Sequence, residues 1–137
     1  MSRPDAATLE ELIRRARKVS ANAYCPYSNF PVGAAVLTDD GEVFEGCNVE
    51  NASYGLSICA ERSAIAQMVA RGKRSIAAVV VCTPTPTPTS PCGACRQVIN
   101  EFGSGALVVS ACDAPGAPTR ALADLLPDAF GPQNLNK

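Results

Sequence analysis

The sequence contains 137 residues, close to the roughly 150 residues of an average domain, which predicts one domain over residues 1–137. Its formal net charge is −1, so the chain lacks the excess of lysine and arginine that is typical of nucleic-acid-binding proteins. Charged residues make up only 18% of the chain, which suggests that part of the surface is buried against another subunit. The longest apolar run is far shorter than the ~20 residues of a membrane span and the N-terminus is polar, so we expect a soluble, cytoplasmic protein.

The cysteine and histidine counts narrow the possible chemistry. There are seven cysteines and no histidine. An odd number of cysteines in a chain of this size argues against a full disulfide framework and favours thiol chemistry or metal binding. The lack of histidine excludes nucleophiles that are activated by an imidazole base, together with every zinc site that uses a histidine ligand.

The first predicted element is a helix from Thr8 to about Ala23, because its apolar residues recur at helical spacing. Thr8 and Glu11 fit a capping box at its start. A basic run within this helix is interpreted as a solvated face, since no aromatic residues are interleaved with it. It consists of Arg14, Arg15, Arg17 and Lys18.

The remaining pattern alternates strands and helices. It predicts a hairpin of strands at 32–37 and 43–49, a helix at 59–71, a strand at 76–82, a helix at 92–102, a strand at 106–111 and a short helical stretch that ends at Pro127. The strand at 76–82 is an uninterrupted apolar run, so we expect it at the centre of the sheet with both faces covered. This order predicts helices packed on a mixed sheet.

A low-complexity segment, TPTPTPTSP at 83–91, connects the central strand to the following helix. Its prolines favour an extended, semi-rigid connection, and it is too short to act as a linker between domains. The pattern itself assigns it no role.

Three cysteines point to a metal site. Cys92 and Cys95 lie three residues apart in the first turn of a predicted helix, so their sulfurs share one face. Cys59 lies at the start of another predicted helix. Helix N-termini carry partial positive charge, which lowers the pKa of a thiol and favours the thiolate form that zinc binds. A redox pair would explain Cys92 and Cys95 alone, but it requires no third cysteine.

Glu61 distinguishes a catalytic from a structural zinc site. A carboxylate beside three thiolates adds negative charge, which a structural site would avoid, so we expect Glu61 to move protons. A zinc ion with three protein ligands keeps one position for water. Zinc and three thiolates together carry a charge of −1, and Arg62 is the candidate for a compensating cation, although it is equally well explained as a surface arginine.

Five separated motifs together resemble the small, homotetrameric cytidine deaminases. They are FPVGAAV, GCNVENASYG, CAERSAI, SPCGACRQVINEFG and LLPDAFGPQNL, and the resemblance extends over about residues 24–135. Zinc deaminases of this kind use a His/Cys/Cys or Cys₃ zinc site and a glutamate that is not a ligand, and water attacks the pyrimidine C4. The resemblance implies a three-layer α/β/α fold with a mixed sheet of about five strands, one Zn²⁺ per chain, and deamination of cytidine and 2′-deoxycytidine in pyrimidine salvage.

The resemblance also implies roles for single residues. Cys59, Cys92 and Cys95 match the zinc ligands and Glu61 the proton shuttle, and Asn48 and Glu50 match positions that hold the ribose hydroxyls. Phe30 matches an aromatic residue that packs on the base, and backbone groups near Ala60 match those that hold the base. Tyr54 and Phe130 match residues that reach towards a neighbouring subunit's site. The remaining cysteines, Cys25, Cys47, Cys82 and Cys112, are interpreted as small buried hydrophobic residues.

Two alternatives stay open at this point. Deaminases of cytosine-nucleoside antibiotics of the blasticidin S type have a similar Cys₃ and glutamate core, although the NVEN motif and the FGP-containing tail favour the nucleoside enzyme. A non-catalytic interaction module stabilised by zinc would instead use one of the other four cysteines as a fourth ligand.

Overall fold

A five-stranded mixed sheet lies between two helical layers in the computed structural model, which describes residues 3–136. The strands are β1 (Gly33–Thr38), β2 (Val43–Cys47), β3 (Ile76–Cys82), β4 (Leu107–Ala111) and β5 (Thr119–Ala121), in the order β2-β1-β3-β4-β5. The β3–β4 pair is parallel, and the other three pairs are antiparallel. The three-layer fold and the central position of β3 are therefore confirmed.

The two faces of the sheet carry different helices. They are α1 (Ala6–Val19), α2 (Ala60–Ala70), α3 (Gly93–Phe102) and the short α4 (Leu122–Leu125), and 3₁₀ turns cover 20–22, 54–56 and 132–135. In β1, Ala35 and Leu37 pack on the side of α1, whereas Ala34 and Val36 pack on the side of α2 and α3. Successive residues of a strand point to opposite faces, so a strand that is buried on both sides must be apolar throughout.

The first helix begins earlier than the capping pattern predicts. Its N-cap is Asp5, whose carboxylate accepts a hydrogen bond of 2.8 Å from the Thr8 amide, and the helix ends at Val19 before a 3₁₀ turn. The predicted capping box at Thr8 and Glu11 is therefore wrong, because Glu11 pairs with Arg14 instead. The solvated-face interpretation is also incomplete, because Arg15 lies 2.5 Å from the Glu45 carboxylate on β2.

Helix α2 lies in direct contact with β2. A Cβ atom added at Gly46 would come within 2.7 Å of the Ala60 carbonyl oxygen and would overlap the Ala64 amide nitrogen. Only glycine permits this approach of a helix to a strand. Gly46 therefore fixes the position of α2, whose first turn carries the candidate site residues.

The structure differs from the sequence expectations at three further places. Strand β2 ends at Cys47 rather than at residue 49, and β5, which has three mostly exposed residues, was not predicted as a strand. Cys82 and Cys112 are buried as expected, whereas Cys25 and Cys47 are only half-buried, since one lies in a loop and the other ends an edge strand. Among residues 3–136, no helix combines the length and the apolar character needed to cross a membrane.

Candidate metal centre and active site

Three cysteine sulfurs meet between the N-terminal ends of α2 and α3. The Sγ atoms of Cys59 and Cys92 are 3.9 Å apart, those of Cys92 and Cys95 are 3.5 Å apart, and all three lie within 4.8 Å of one another. Across the part of the chain that the structure describes, this is the group of metal-ligating side chains that could hold an ion, and it contains no fourth cysteine. The sequence prediction of a three-cysteine cluster is confirmed.

The local backbone explains why the sulfurs converge. Cys59 and Cys92 are the N-cap residues of α2 and α3, and both have extended backbone angles with no side-chain capping bond. Each thiol is therefore free to turn away from its own helix, while the first helical amides remain without intrahelical partners. The partial positive charge of two helix ends then favours anionic sulfur in the gap between them.

The pKa values of the thiols differ within the cluster. Hydrogen bonding from the Cys95 thiol, and to a lesser degree from Arg62, lowers the pKa of Cys59 to about 5. The pKa of Cys95 is raised, first because its proton is held by the Cys59 thiolate and second because the residue is buried. The negative charge of the Cys59 thiolate thus opposes the ionisation of the other thiols. Three thiolates at this spacing therefore require a divalent cation between them. Sulfur ligands at this spacing, with no histidine, fit zinc.

Arg62 supplies a permanent positive charge at the edge of the cluster. Its guanidinium Nη2 lies 3.8 Å from the Cys59 sulfur, and hydrogen bonding to this sulfur raises the pKa of Arg62 further. The interpretation of Arg62 as a simple surface arginine does not describe this contact. Its position is that of a cation which offsets part of the sulfur charge.

Glu61 is buried beside the cluster, with 4% of its surface exposed. Burial disfavours the charged form of a carboxyl and raises the pKa of Glu61 to about 7, and the Cys59 thiolate acts in the same direction. A group that gains and loses a proton near neutral pH is suited to general acid and base catalysis. In the sequence, its position two residues after Cys59 pointed to this residue, and its role stays a prediction.

A cavity of about 350 Å³ opens above the cluster and Glu61. Of the predicted site residues, it is lined by Phe30, Asn48, Glu50, Cys59, Ala60, Glu61 and Cys92. Its volume is in the range of cavities that hold small molecules. The structure thus brings most of the predicted site residues to one cavity.

Asn48 and Glu50 lie on one side of the cavity, and each also holds a loop in place. The Asn48 side chain accepts a 2.9 Å hydrogen bond from the Val32 amide and donates one of 2.9 Å to the Phe30 carbonyl. The Glu50 carboxylate accepts hydrogen bonds from the Tyr27 and Ser28 amides and from the Ser28 hydroxyl, and the Ser28 hydroxyl is the main cause that lowers its pKa. Each side chain retains further hydrogen-bonding capacity for a ligand.

Tyr54 and Phe130 do not line this cavity. Tyr54 is 74% exposed and lies with Tyr27 in an adjoining hollow that shares Ser28, Glu50 and Ser57 with the main cavity. Phe130 is 59% exposed, although its carbonyl accepts a 2.8 Å hydrogen bond from Gln97 on α3. Neither ring touches the site of its own chain at these positions.

Several lining residues were not predicted. They are Ser28, Val32, Ser57, Ile58, Val81, Thr83, Thr89, Ser90 and Pro91. Five of them belong to the end of β3 or to TPTPTPTSP at 83–91, the Thr-Pro segment that leads to Cys92, so adjacency to a metal ligand could have identified that segment. The others reach the cavity through contacts distant in sequence, for which no local pattern exists.

Comparison with known proteins gives consistent matches over most of the chain. Residues 6–111 match the family described as the cytidine and deoxycytidylate deaminase zinc-binding region. A cytidine deaminase of Sporosarcina psychrophila is 46% identical over 129 residues, which cover 93% of this chain and 95% of that protein. One from Mycobacterium tuberculosis is 47% identical over 120 residues, 88% of this chain and 87% of that protein.

A solved structure gives the same result for the fold. The crystal structure of cytidine deaminase from Burkholderia pseudomallei superposes with a TM-score of 0.85 at 50% sequence identity. The match covers 88% of this chain and 98% of the other.

Proposed function

The chain belongs to the cytidine and deoxycytidylate deaminase family, and we propose that it converts cytidine and 2′-deoxycytidine to the corresponding uridines and ammonia. The observation that carries this proposal is the buried Glu61, whose carboxyl faces the same cavity as the sulfur cluster of Cys59, Cys92 and Cys95. A metal site with an adjacent proton-transfer group and room for a nucleoside supports hydrolysis rather than a structural role.

In this proposal Cys59, Cys92 and Cys95 hold one Zn²⁺, and Arg62 offsets part of the negative charge of the thiolates. Held by these three residues, a zinc ion would leave a position for water and would lower the pKa of that water towards ~7. The absence of a fourth cysteine from the cluster, within residues 3–136, supports an open rather than a closed site. This geometry disfavours the zinc-stabilised interaction module.

Glu61 moves the protons of the reaction. A carboxylate oxygen of Glu61 takes one proton from the attacking water and delivers it to ring N3 while the water oxygen bonds to C4. Glu61 then takes the second proton of that oxygen and gives it to the exocyclic amine, so that the C4–N bond breaks, ammonia leaves and the C4 carbonyl forms. A pKa near 7 in a buried position allows both the uptake and the release.

The remaining cavity residues bind the nucleoside in this proposal. The Asn48 amide and the Glu50 carboxylate offer a donor and acceptors to the ribose hydroxyls, and both face the cavity. The ring of Phe30 packs on the base, and the first amides of α2 near Ala60 hydrogen-bond to it. The charge of Glu50 repels a phosphate, so we expect free cytidine to be preferred over its monophosphate.

Asn48 and Glu50 also help to distinguish a cytidine deaminase from a deaminase of a blasticidin S-type antibiotic. Asn48 and Glu50 both line the cavity and both retain hydrogen-bonding capacity, which supports a nucleoside substrate. An antibiotic of the blasticidin S type is not favoured. A substrate panel that contains cytidine, 2′-deoxycytidine, cytidine monophosphate and blasticidin S distinguishes these possibilities.

We further propose that the enzyme is a homotetramer whose sites are completed across subunits. The rings of Tyr54 and Phe130 are exposed although aromatic rings are among the side chains most stabilised by burial. Tyr54 lines the hollow that adjoins the cavity, and the carbonyl of Phe130 is held by Gln97 and Asn100 while its ring is exposed. A neighbouring subunit that covers these rings would exclude water from the site.

The proposal also includes the setting of the reaction. Seven cysteines without a disulfide fit a reducing compartment, so we place the reaction in the cytoplasm, where it serves pyrimidine salvage. Each chain contributes one domain over residues 1–137 to this assembly, and no nucleic-acid or membrane partner takes part in the reaction.

The direct test is release of ammonia from cytidine by the purified protein, measured before and after removal of metal with a chelator. We expect ammonia and uridine in equal amounts, loss of activity on chelation and its return with added zinc. A protein that binds zinc but releases no ammonia from any cytosine nucleoside would refute the proposed function.

A further inference from the structure

Threonine hydroxyls in the Thr-Pro segment form a connected chain beside the cavity. The Thr85 hydroxyl oxygen lies 2.7 Å from that of Thr83 and 3.3 Å from that of Thr89, and it donates a 2.7 Å hydrogen bond to the Thr87 carbonyl. A hydroxyl carries a single proton, so Thr85, which donates to Thr87, must accept from Thr83. The Thr89 hydroxyl lies 3.5 Å from the same Thr87 carbonyl and shares its proton between this carbonyl and Thr85. Thr85 is the residue that connects Thr83 to Thr87 and Thr89.

Prolines leave this segment with few alternative hydrogen bonds. Pro84, Pro86 and Pro88 have no amide hydrogen. Within residues 3–136, the amides of 87, 89 and 90 donate to no other group of the protein. The Thr83 amide instead donates to the Ala111 carbonyl, and the Thr85 carbonyl accepts from the Asp113 amide, so both are bound to the end of β4 and the segment that follows it. The first half of the segment is thus anchored by its backbone, and the second half is held to it by the Thr85 hydroxyl.

The two ends of this hydroxyl chain line the catalytic cavity. Thr83 is 4% exposed and follows β3 in the first half of the segment. Thr89 lies in the second half, directly before the lining residues Ser90 and Pro91 and the proposed metal ligand Cys92. The hydroxyl chain thus connects two parts of the segment that both line the cavity. Thr85 itself does not line the cavity, so it can act only through Thr83 and Thr89.

We propose that Thr85 is a positioning residue that fixes the Thr89–Pro91 wall of the cavity against Thr83 and thereby sets the affinity for the nucleoside. The inference rests on the proposed function, because it identifies a determinant of substrate affinity at the same site. Removal of the Thr85 hydroxyl releases the second half of the segment from the first. It also leaves the buried Thr83 hydroxyl without a hydrogen-bond partner within residues 3–136. The wall then occupies several positions, and only some of them fit the ligand.

The test compares Thr85→Val with Thr87→Val in the full-length, zinc-loaded enzyme. Valine has nearly the shape of threonine but no hydroxyl, and the Thr87 side chain is exposed and forms no hydrogen bond within residues 3–136. The loss of one hydrogen bond corresponds to about two- to twelvefold in an equilibrium constant, and we expect Thr85→Val, which loses several, to raise KM for cytidine by roughly tenfold, with kcat changed less than threefold. Thr87→Val should match the parent, and Thr85→Ser should restore most of the affinity.

A double variant separates positioning from stability. Thr83→Val in combination with Thr85→Val removes the orphaned hydroxyl, so the melting temperature should recover towards that of the parent while KM stays high. If KM recovers together with the melting temperature, Thr85 serves only stability and the inference is wrong. Zinc content should equal one ion per chain in all variants, and a loss of zinc in Thr85→Val would also contradict the inference.

Binding of uridine, measured by calorimetry, distinguishes failure of this inference from failure of the proposed function. A parent enzyme that releases no ammonia would refute the proposed function. An active parent that binds uridine with the same affinity as Thr85→Val would refute the role of Thr85 alone. We expect uridine binding to weaken roughly tenfold in Thr85→Val and to be unchanged in Thr87→Val.

Discussion

Substitution of Gly46 by alanine tests whether the contact between α2 and β2 places the catalytic residues. The added Cβ would lie 2.7 Å from the Ala60 carbonyl oxygen and 2.9 Å from the Ala64 Cα atom, both of which belong to the backbone of α2. The Ala64 amide nitrogen would lie closer still, and backbone atoms cannot rotate away, so the helix must move from β2 by roughly 1 Å to reach the 3.4 Å at which ordinary van der Waals contact begins. Cys59 and Glu61 move with it.

The expected magnitude follows from this displacement. Overpacking of a buried contact costs about 1–3 kcal/mol, which corresponds to a decrease of roughly 3–15 °C in Tm for a domain of this size. A misplacement of about 1 Å at a catalytic group can lower the rate by about 100-fold. We therefore expect kcat/KM to fall by roughly 10- to 100-fold in Gly46→Ala.

Gly105→Ala is the matched control, since a Cβ atom at Gly105 would meet nothing within 4 Å. Thermal unfolding, zinc content and cytidine turnover should be measured for both variants. The control should stay within about 1 °C of the parent Tm and keep its activity. If Gly46→Ala has the stability and turnover of the parent, then α2 is not held against β2 as described and its contact does not place Glu61.

Two further predictions concern the surface of the subunit. Phe130→Ala should raise KM for cytidine by roughly tenfold without loss of zinc, since a buried aromatic ring is lost from a neighbouring site. The parent should sediment near four times its 14.2 kDa chain mass, and a fully active monomer would contradict this prediction. Asp40 accepts a 2.6 Å hydrogen bond from Lys73, which lowers the pKa of Asp40 below 3.8. The stability it contributes is therefore present above pH 3.8 and lost as the pH falls through the lower folded-state pKa, so the difference in Tm between the parent and Asp40→Asn should disappear in acid. A difference that persists unchanged at pH 2 would contradict this assignment.

The metal cluster was predictable because its signals are local. Cys92 and Cys95 share a helical turn, and Cys59 and Glu61 lie together at the start of another helix. Helix starts can be located from sequence to within a residue or two, and here both cysteine N-caps lie where the pattern placed them. The distance between the two helix ends depends on the sheet and is not given by local sequence. The prediction that they meet came instead from chemistry, because a zinc site needs a third ligand besides Cys92 and Cys95.

Features that depend on distant contacts were not predictable in the same way. Asp5 rather than Thr8 caps the first helix, and β5 has only three residues, so its pairing with β4 rather than its own pattern makes it a strand. Asn48 was assigned to the ligand by resemblance, but its hydrogen bonds to Phe30 and Val32 appear only in the folded chain. These hydrogen bonds join residues that are 16 and 18 positions apart, and such contacts produce no periodic pattern in the sequence.

The most direct test of the account compares Glu61→Gln with Cys92→Ser in the same assay of ammonia release from cytidine. Glutamine has nearly the size of glutamate but transfers no proton, so Glu61→Gln should keep one zinc ion and its fold while turnover falls by roughly 10²- to 10⁴-fold. Cys92→Ser should instead lose the metal, since a thiolate ligand is removed. A Glu61→Gln enzyme that holds zinc and deaminates cytidine at the parent rate would contradict the central claim that Glu61 moves the protons.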